Sequence, residues 1–349
     1  MFGTPLKLLR AMAAAASIGA TVGSAWAGTG LATLPGREGD GPVTVFYPTQ
    51  ATNQPVRRGP FALQLAVDGA PERGNGRLVV FSHGSGGGPW VHADLATALV
   101  QAGFVVALPE HRGDNSHDSA EQGPQSWKRR PAEVSHAIDA VGSSPRFAPL
   151  LALDKVGVAG QSAGGHTALS LAGGVWSPAR FLAHCETHLT EDFPACVGTF
   201  THLTGGWLDG LKKAVAIGVL RQRFDDATPY PAHDPRIAVA VAGVPAAADF
   251  DPDSLRQPRI PLGLVTAGQD LWLTPRWHGD AVAAACTPCE RIAHLPEAGH
   301  NVMLSPLPPA EVLGRAERTL LSDPPGFDRS RLPELDQRIV AFLARHLLP

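Results

Sequence analysis

Cysteine is scarce, at four residues in 349, and charge is sparse, at 17% of residues with 29 Lys+Arg against 32 Asp+Glu and a net charge of −3. No block of lysine or arginine occurs, so the chain has no electrostatic footprint for nucleic acid or an anionic lipid surface, and neither partner is expected. Internal repeats and long low-complexity tracts are also missing. The glycine-rich stretches are not followed by Gly-Lys-Ser/Thr, which argues against a nucleotide-phosphate loop. What is present is 44% hydrophobic residues, enough over this length for a large core and incompatible with disorder of the whole. The 38 Gly and 32 Pro fall mostly between apolar runs, as tight connections in a globular unit do.

Lys7 and Arg10 precede a small-residue apolar stretch at 11–23, and Ala25-Trp26-Ala27 offers the small flanking residues of a signal-peptidase cut. Residues 1–27 are therefore expected to be a secretory signal peptide and residues 28–349 the folded domain. The uncharged run 11–34 is Ala/Gly-rich and only weakly hydrophobic, unlike a membrane anchor. Neither a twin arginine nor a lipid-accepting cysteine lies at the cut, so a periplasmic or secreted protein without a stable membrane anchor is expected. Four cysteines fit an oxidising compartment. Of the three possible pairings, Cys185 with Cys196 and Cys286 with Cys289 closes two short loops and is the one expected. His184, Cys185, His188, Cys196 and His202 crowd one segment, but their spacing matches no standard zinc pattern and disulfides would consume the thiols. No metal is expected there.

Along the chain, residues 43–47 and 61–67 alternate like half-buried strands near a sheet edge. Residues 78–81, 104–108, 156–159, 237–241 and 262–266 are short continuous apolar runs, the pattern of parallel strands buried on both faces. Helical patterns occupy 92–102, 131–141, 163–171 and 275–285, and 333–348 places Leu335, Ile339, Phe342 and Leu343 on one face. This alternation predicts an α/β fold, a mostly parallel sheet with helices on both faces. Ligands of such sheets bind at the carboxyl ends of the strands.

Two motifs lie there. Gly160-Gln161-Ser162-Ala163-Gly164 joins a predicted strand to a predicted helix, and a sharp turn at that point presents Ser162 alone at a helix N-terminus, where developing negative charge is favoured. A glycine-rich helix start with Ser162 as a mere cap is the plain alternative. His83-Gly84-Ser85-Gly86-Gly87-Gly88 follows the strand at 78–81, where residues with little side chain let backbone N–H groups reach a reacting carbonyl. The amides of Ser85 and Ala163 are the expected oxyanion donors.

With Phe81-Ser82-His83-Gly84-Ser85-Gly86, Leu108-Pro109-Glu110-His111-Arg112-Gly113 and Gly160-Gln161-Ser162-Ala163-Gly164 in that order after successive strands, the chain resembles the α/β-hydrolase superfamily. Within it the resemblance is to dienelactone hydrolases and platelet-activating-factor acetylhydrolases, over most of residues 43–347. Dienelactone hydrolases proper carry a cysteine nucleophile where this chain has Ser162, so their lactone chemistry does not carry over. Similarity to the acetylhydrolases implies short acyl esters.

A serine hydroxyl needs a base to remove its proton and an acid to orient that base, in the chain order Ser, Asp, His. Among 14 histidines, His300 in Glu297-Ala298-Gly299-His300-Asn301 lies in a loop after the last strand-like run, 291–295. His83 and His111 precede Ser162 and are expected to shape the walls of the site, and His166 sits one helical turn beyond Ser162. Asp270, following the strand at 262–266, is the expected acid; Asp249, after the preceding strand, is its rival.

Between residues 174 and 234 the chain is far longer than one crossover needs, so an inserted lid is expected at about 175–235. Its aromatics, Trp176, Phe181, Phe193, Phe200, Trp207 and Phe224, form either an acyl pocket or the lid's own small core. The expectation is thus a serine hydrolase of small carboxylic esters requiring no cofactor. Acyl transfer by the same triad, or a non-catalytic binding protein on the same scaffold, are the alternatives.

Overall fold

The apolar runs become the strands of one ten-stranded sheet. A computed structural model describes residues 26–198 and 200–349; of the expected signal peptide, residues 1–25 lie outside them. In chain order the elements are β1 (Gly28–Leu34), β2 (Val43–Thr49), β3 (Gln54–Arg58), β4 (Phe61–Val67), β5 (Leu78–Ser82), α1 (Ala93–Gln101), β6 (Val105–Pro109), α2 (Pro124–Ser143), β7 (Val156–Gln161) and α3 (Ala163–Leu171). Then follow α4 (Pro178–His188), α5 (Phe193–Val197), α6 (Asp209–Arg223), β8 (Ile237–Gly243), α7 (Pro252–Leu255), β9 (Leu262–Ala267), α8 (Gly279–Ala285), β10 (Glu290–Leu295), α9 (Arg315–Leu321) and α10 (Leu332–Leu347).

The strand order is β10-β9-β8-β7-β5-β6-β2-β1-β4-β3. From β10 to β6 every pairing is parallel, whereas β2 runs antiparallel to both β6 and β1. The chain passes from β5 to β6 on one side and then returns to place β7 on the other side of β5. This reversal opens a crevice between the carboxyl ends of β5 and β7, the position where such sheets bind ligands.

Successive side chains of a strand face opposite ways, so each buried run feeds two cores. Leu78 and Val80 pack with Val105, Val158, Ile138 and Leu169 beneath α2 and α3. Val79 and Phe81 pack with Val106, Val241, Leu99 and Leu343 beneath α1 and α10. Each such side chain contributes roughly 1.5–3 kcal/mol through the apolar area it removes from water. Helix α10 buries Leu335, Ile339, Phe342 and Leu343 as its periodicity predicts.

Several local features differ from the sequence expectation, among them helices α7 and α9, which had no predicted counterpart, and α8, which begins at Gly279 rather than 275. Helix α2 begins at Pro124 rather than 131, because Gly123 at φ 88° ends the preceding turn and Pro124 fits the first helical turn. Strands β1 and β3 had no predicted counterpart. Among the described residues no helix is long and apolar enough to cross a membrane.

Candidate active site

Ser162 stands between β7 and α3 with φ 59° and ψ −118°, a positive-φ conformation that non-glycine residues rarely adopt. Holding a residue there costs on the order of 1–3 kcal/mol, which the surrounding contacts must offset. Its N–H donates to the Gly243 carbonyl at 3.0 Å, and its carbonyl accepts from His166 N at 3.0 Å and Ala246 N at 3.2 Å. A Cβ at Gly160 would overlap the Gly164 carbonyl, and one at Gly164 the Ser82 carbonyl. Both glycines are thus required by the closeness of β5, β7 and α3 at this turn.

His300 begins a short 3-10 turn (His300–Met303) after β10, and Asp270 follows β9. Gly268 N donates to Leu295 O and Gln269 N to Ala298 O, both at 2.9 Å, so the two loops are stitched together by their backbones. Ser162 Oγ lies 2.9 Å from His300 Nε2, and His300 Nδ1 lies 2.8 Å from Asp270 Oδ2. A carboxylate only accepts, so the imidazole proton sits on Nδ1 and Nε2 is free to accept from the serine hydroxyl. The other carboxylate oxygen of Asp270 accepts from Trp272 N and Leu273 N, each at 2.8 Å. Asp249 instead meets His166 Nε2 at 3.0 Å, in a box of Trp127, Trp176 and Phe250, away from His300.

Residues absent from the sequence reading complete this arrangement. Gln161 Nε2 donates to the His300 carbonyl at 3.1 Å, and the Trp272 ring stacks on the imidazole at 5.9 Å between centroids. Gln161 lies inside the serine motif, so its position was visible but its long reach was not.

Residues 83–88 form the opposite wall. A Cβ on Gly84 would come within 3.4 Å of Ser162 Cβ and 2.8 Å of Gln161 Oε1, so at Gly84 the loop passes close to the serine turn. His83 and His111 are fully buried behind the loop. His111 N donates to His83 Nε2 at 3.2 Å, leaving the His83 proton on Nδ1, which donates to Gly84 O at 2.7 Å. His111 contacts Ser82 Oγ at 2.7 Å through Nε2 and Glu133 Oε2 at 2.5 Å through Nδ1. Burial pushes both imidazoles well below the usual histidine range, helped by the Arg130 charge, and it pushes Glu133 up.

The chain pairs Cys185 with Cys196 and Cys286 with Cys289. Residues 175–235 carry α4, α5 and α6, and Phe181, Phe193, Leu220 and Phe224 pack around the first disulfide as a separate small core. Trp176 belongs to the main core, whereas Phe200 and Trp207 are 87% and 90% exposed. Three of the six aromatics, Phe181, Phe193 and Phe224, therefore serve the segment's own packing.

Asp192, between the first two cysteines, ties the insertion to the loop after Asp270. It accepts from His184 Nε2 at 2.8 Å, His278 Nε2 at 2.9 Å and Thr274 N at 3.1 Å. His184, Asp192 and His278 offer three ligand atoms within 4.8 Å of one another. However, His278 Nδ1 accepts from Ala247 N at 3.0 Å, which keeps the proton on Nε2 facing Asp192. That is the hydrogen bonding of a satisfied structural cluster, and a poor metal ligand set.

A mostly parallel sheet covered by helices, with a serine on the turn after β7 and an acid and a histidine after β9 and β10, is the α/β-hydrolase fold. The similarities agree. Residues 70–132 match the family of platelet-activating factor acetylhydrolase, isoform II. The chain is similar in structure to a ferulic acid esterase from Streptomyces cinnamoneus, with a TM-score of 0.54 and 16% sequence identity over 92% of this chain and 89% of that one. No curated protein matches the chain.

Proposed function

We propose that this chain is an exported serine hydrolase of carboxylic esters. The observation that carries the reading is the hydrogen-bonded series Ser162 Oγ, His300 Nε2, His300 Nδ1, Asp270 Oδ2, with spacings of 2.9 and 2.8 Å, at the head of a strained turn. Ser162 attacks the ester carbonyl while His300 takes its proton. The resulting imidazolium is stabilised by Asp270, and the oxyanion is received by the amides of Ser85 and Ala163 at the N-terminus of α3. His300 then protonates the departing alkoxide. Water, deprotonated by the same imidazole, releases the acyl group from Ser162 and restores the enzyme. These steps use only side chains and backbone of the protein.

The match of residues 70–132 to an acetylhydrolase family and the fold shared with a ferulic acid esterase support a small ester as substrate, with short acyl esters or lactones as the class to try first. Residues 175–235 are the lid of this site, and two disulfides support export to an oxidising compartment, with residues 1–27 removed. Ser162→Ala is expected to abolish both turnover of short p-nitrophenyl esters and labelling by a fluorophosphonate. Persistence of both in the variant overturns the proposal. A series of esters graded by acyl length, with phospholipid, lactone and polyester included, then defines the substrate, and product analysis with added alcohols separates hydrolysis from acyl transfer.

A further inference from the structure

We propose that Asp114 and Arg130, a fully buried ion pair behind the glycine-rich loop, are positioning residues that fix the Ser85 amide toward the oxyanion. The proposal rests on the serine-hydrolase reading and assigns the part of the protein that holds its oxyanion loop in register.

The loop has little side-chain packing of its own, because glycine occupies four of its six positions from 83 to 88. Glycine gives backbone amides access to a substrate but leaves their direction poorly determined. The direction comes from behind. Asp114 Oδ1 accepts from both Ser85 Oγ, at 2.6 Å, and Gly86 N, at 2.9 Å, so one carboxylate oxygen grips the residue carrying the proposed donor and the next amide along. Its other oxygen accepts from Arg130 Nη2 at 2.8 Å. Arg130 reaches from α2 and also donates through Nη1 to the His83 carbonyl at 2.5 Å, while its Nε donates to Ser126 Oγ at 2.9 Å.

Arg130 and Asp114 are both 0% exposed, and ionised groups are buried so completely only when the site fixes their partners. Burial opposes ionisation of Asp114, yet Arg130, Ser85 and Gly86 together hold its carboxyl below the usual range, so it is an acceptor at neutral pH. The guanidinium restrains the 83–84 peptide through the His83 carbonyl and the carboxylate restrains the 85–86 peptide through Gly86 N, while the peptide between them, which carries the Ser85 amide, is held at its Gly84 carbonyl by His83 Nδ1 at 2.7 Å and Gly87 N at 3.1 Å. An oxyanion donor is effective because it is aimed before the charge develops, and removing such a donor costs about 10²–10³ in kcat.

The test uses the full-length mature enzyme, with Asp114→Asn and Ser85→Ala compared with wild type. Asparagine keeps the shape of Asp114 but cannot accept at both oxygens, whereas alanine at 85 cuts only the hydroxyl link and leaves the charged pair intact. Turnover of a p-nitrophenyl ester is expressed per serine titrated with a fluorophosphonate, so a loss of folded enzyme does not register as a loss of kcat. An alkyl boronic acid, which becomes tetrahedral on Ser162, reports binding of the charged state, and an ether analogue of the substrate, which has no carbonyl carbon to attack, reports binding of the ground state. We expect kcat per titrated serine to fall about 10–100-fold in Asp114→Asn and about three- to tenfold in Ser85→Ala, with KM and ground-state binding within about threefold and boronate affinity falling in parallel with kcat. If Asp114→Asn fails to fold, Ser85→Ala decides alone. Unchanged kcat and boronate affinity per titrated serine, in whichever variants fold, overturns the positioning role and leaves the hydrolase reading intact. A wild-type enzyme that turns over no ester through Ser162 overturns both.

Discussion

Replacing Asp270 by asparagine isolates what its charge does. Oδ1 of Asp270 is committed to the amides of Trp272 and Leu273 at 2.8 Å each, so an asparagine must keep its carbonyl oxygen on those two donors. Its NH2 group then faces His300 Nδ1, where the carboxylate oxygen lay at 2.8 Å. Two donors cannot share that contact, so the imidazole proton moves to Nε2, the nitrogen 2.9 Å from Ser162 Oγ. A protonated Nε2 cannot accept the serine proton, and no carboxylate remains to stabilise an imidazolium. Enzymes with this geometry lose roughly 10⁴ in kcat from that change, which is about 5.5 kcal/mol of transition-state stabilisation. The backbone hydrogen bonds survive, so the melting temperature is expected to stay within a few degrees of wild type. Steady-state kinetics on a short p-nitrophenyl ester, run beside Asp249→Asn, is the measurement. Asp249 touches His166 and not His300, so its variant is expected to keep kcat within about tenfold. An Asp270→Asn enzyme within tenfold of wild type, or an Asp249→Asn enzyme equally crippled, would refute the assignment.

Other perturbations test the supporting structure. Gly164→Ala forces a methyl into the Ser82 carbonyl and is expected to destabilise the fold by about 2–4 kcal/mol, read by urea denaturation; a loss under 1 kcal/mol contradicts the close approach of β5 and α3. Burial, with Asp94 nearby, pushes the Asp336 carboxyl up to about 7. Its folded form therefore holds a proton that the unfolded chain releases near pH 4, and stability falls as pH rises from about 4 through 7 and is level above. Asp336→Asn removes that slope, so the variant should melt above wild type at pH 8 but not at pH 4; the opposite order rejects the assignment. For Asp192, burial opposes ionisation, but the hydrogen bonds from His184, His278 and Thr274 prevail and hold its carboxyl well below the ordinary range. Its contribution is present above the ordinary carboxylate pKa and is lost as pH falls toward the lowered value. Asp192→Asn should accordingly lower the melting temperature by several degrees at pH 7, with the gap narrowing toward pH 2, and a constant gap across that range argues for another cause.

Much of this architecture could be read from residue order because the signals are local. Parallel strands buried on both faces appear as unbroken apolar runs, so β5 to β9 emerged within a residue or two of their observed bounds. The serine turn, the histidine loop and the acid loop each follow such a run. Strand β3, Gln-Pro-Val-Arg-Arg, lies at the outer edge of the sheet with a largely exposed pattern, so nothing in its composition marks it as a strand. Strand β1 follows directly on the leader-like stretch and continues its small-residue composition. The Asp114 and Arg130 pair escaped notice for a different reason. A charged residue is read as surface until its partner is known, and this partner is sixteen positions away across a strand-to-helix connection. The choice between Asp270 and Asp249 likewise depended on which loop bends toward His300, a matter of tertiary geometry.

The placement of the reactive groups along the chain also has a kinetic meaning. Residues 162, 270 and 300 come from three different connections, and they meet only when β7, β9 and β10 have taken their places in the sheet. Contacts so distant in sequence are slow to form, since each closes a long loop before any local reward is gained. Ester cleavage is therefore a stringent clock for maturation: during refolding from denaturant, helical circular dichroism should recover ahead of it, and a chain halted before β10 joins the sheet should be well structured yet inert.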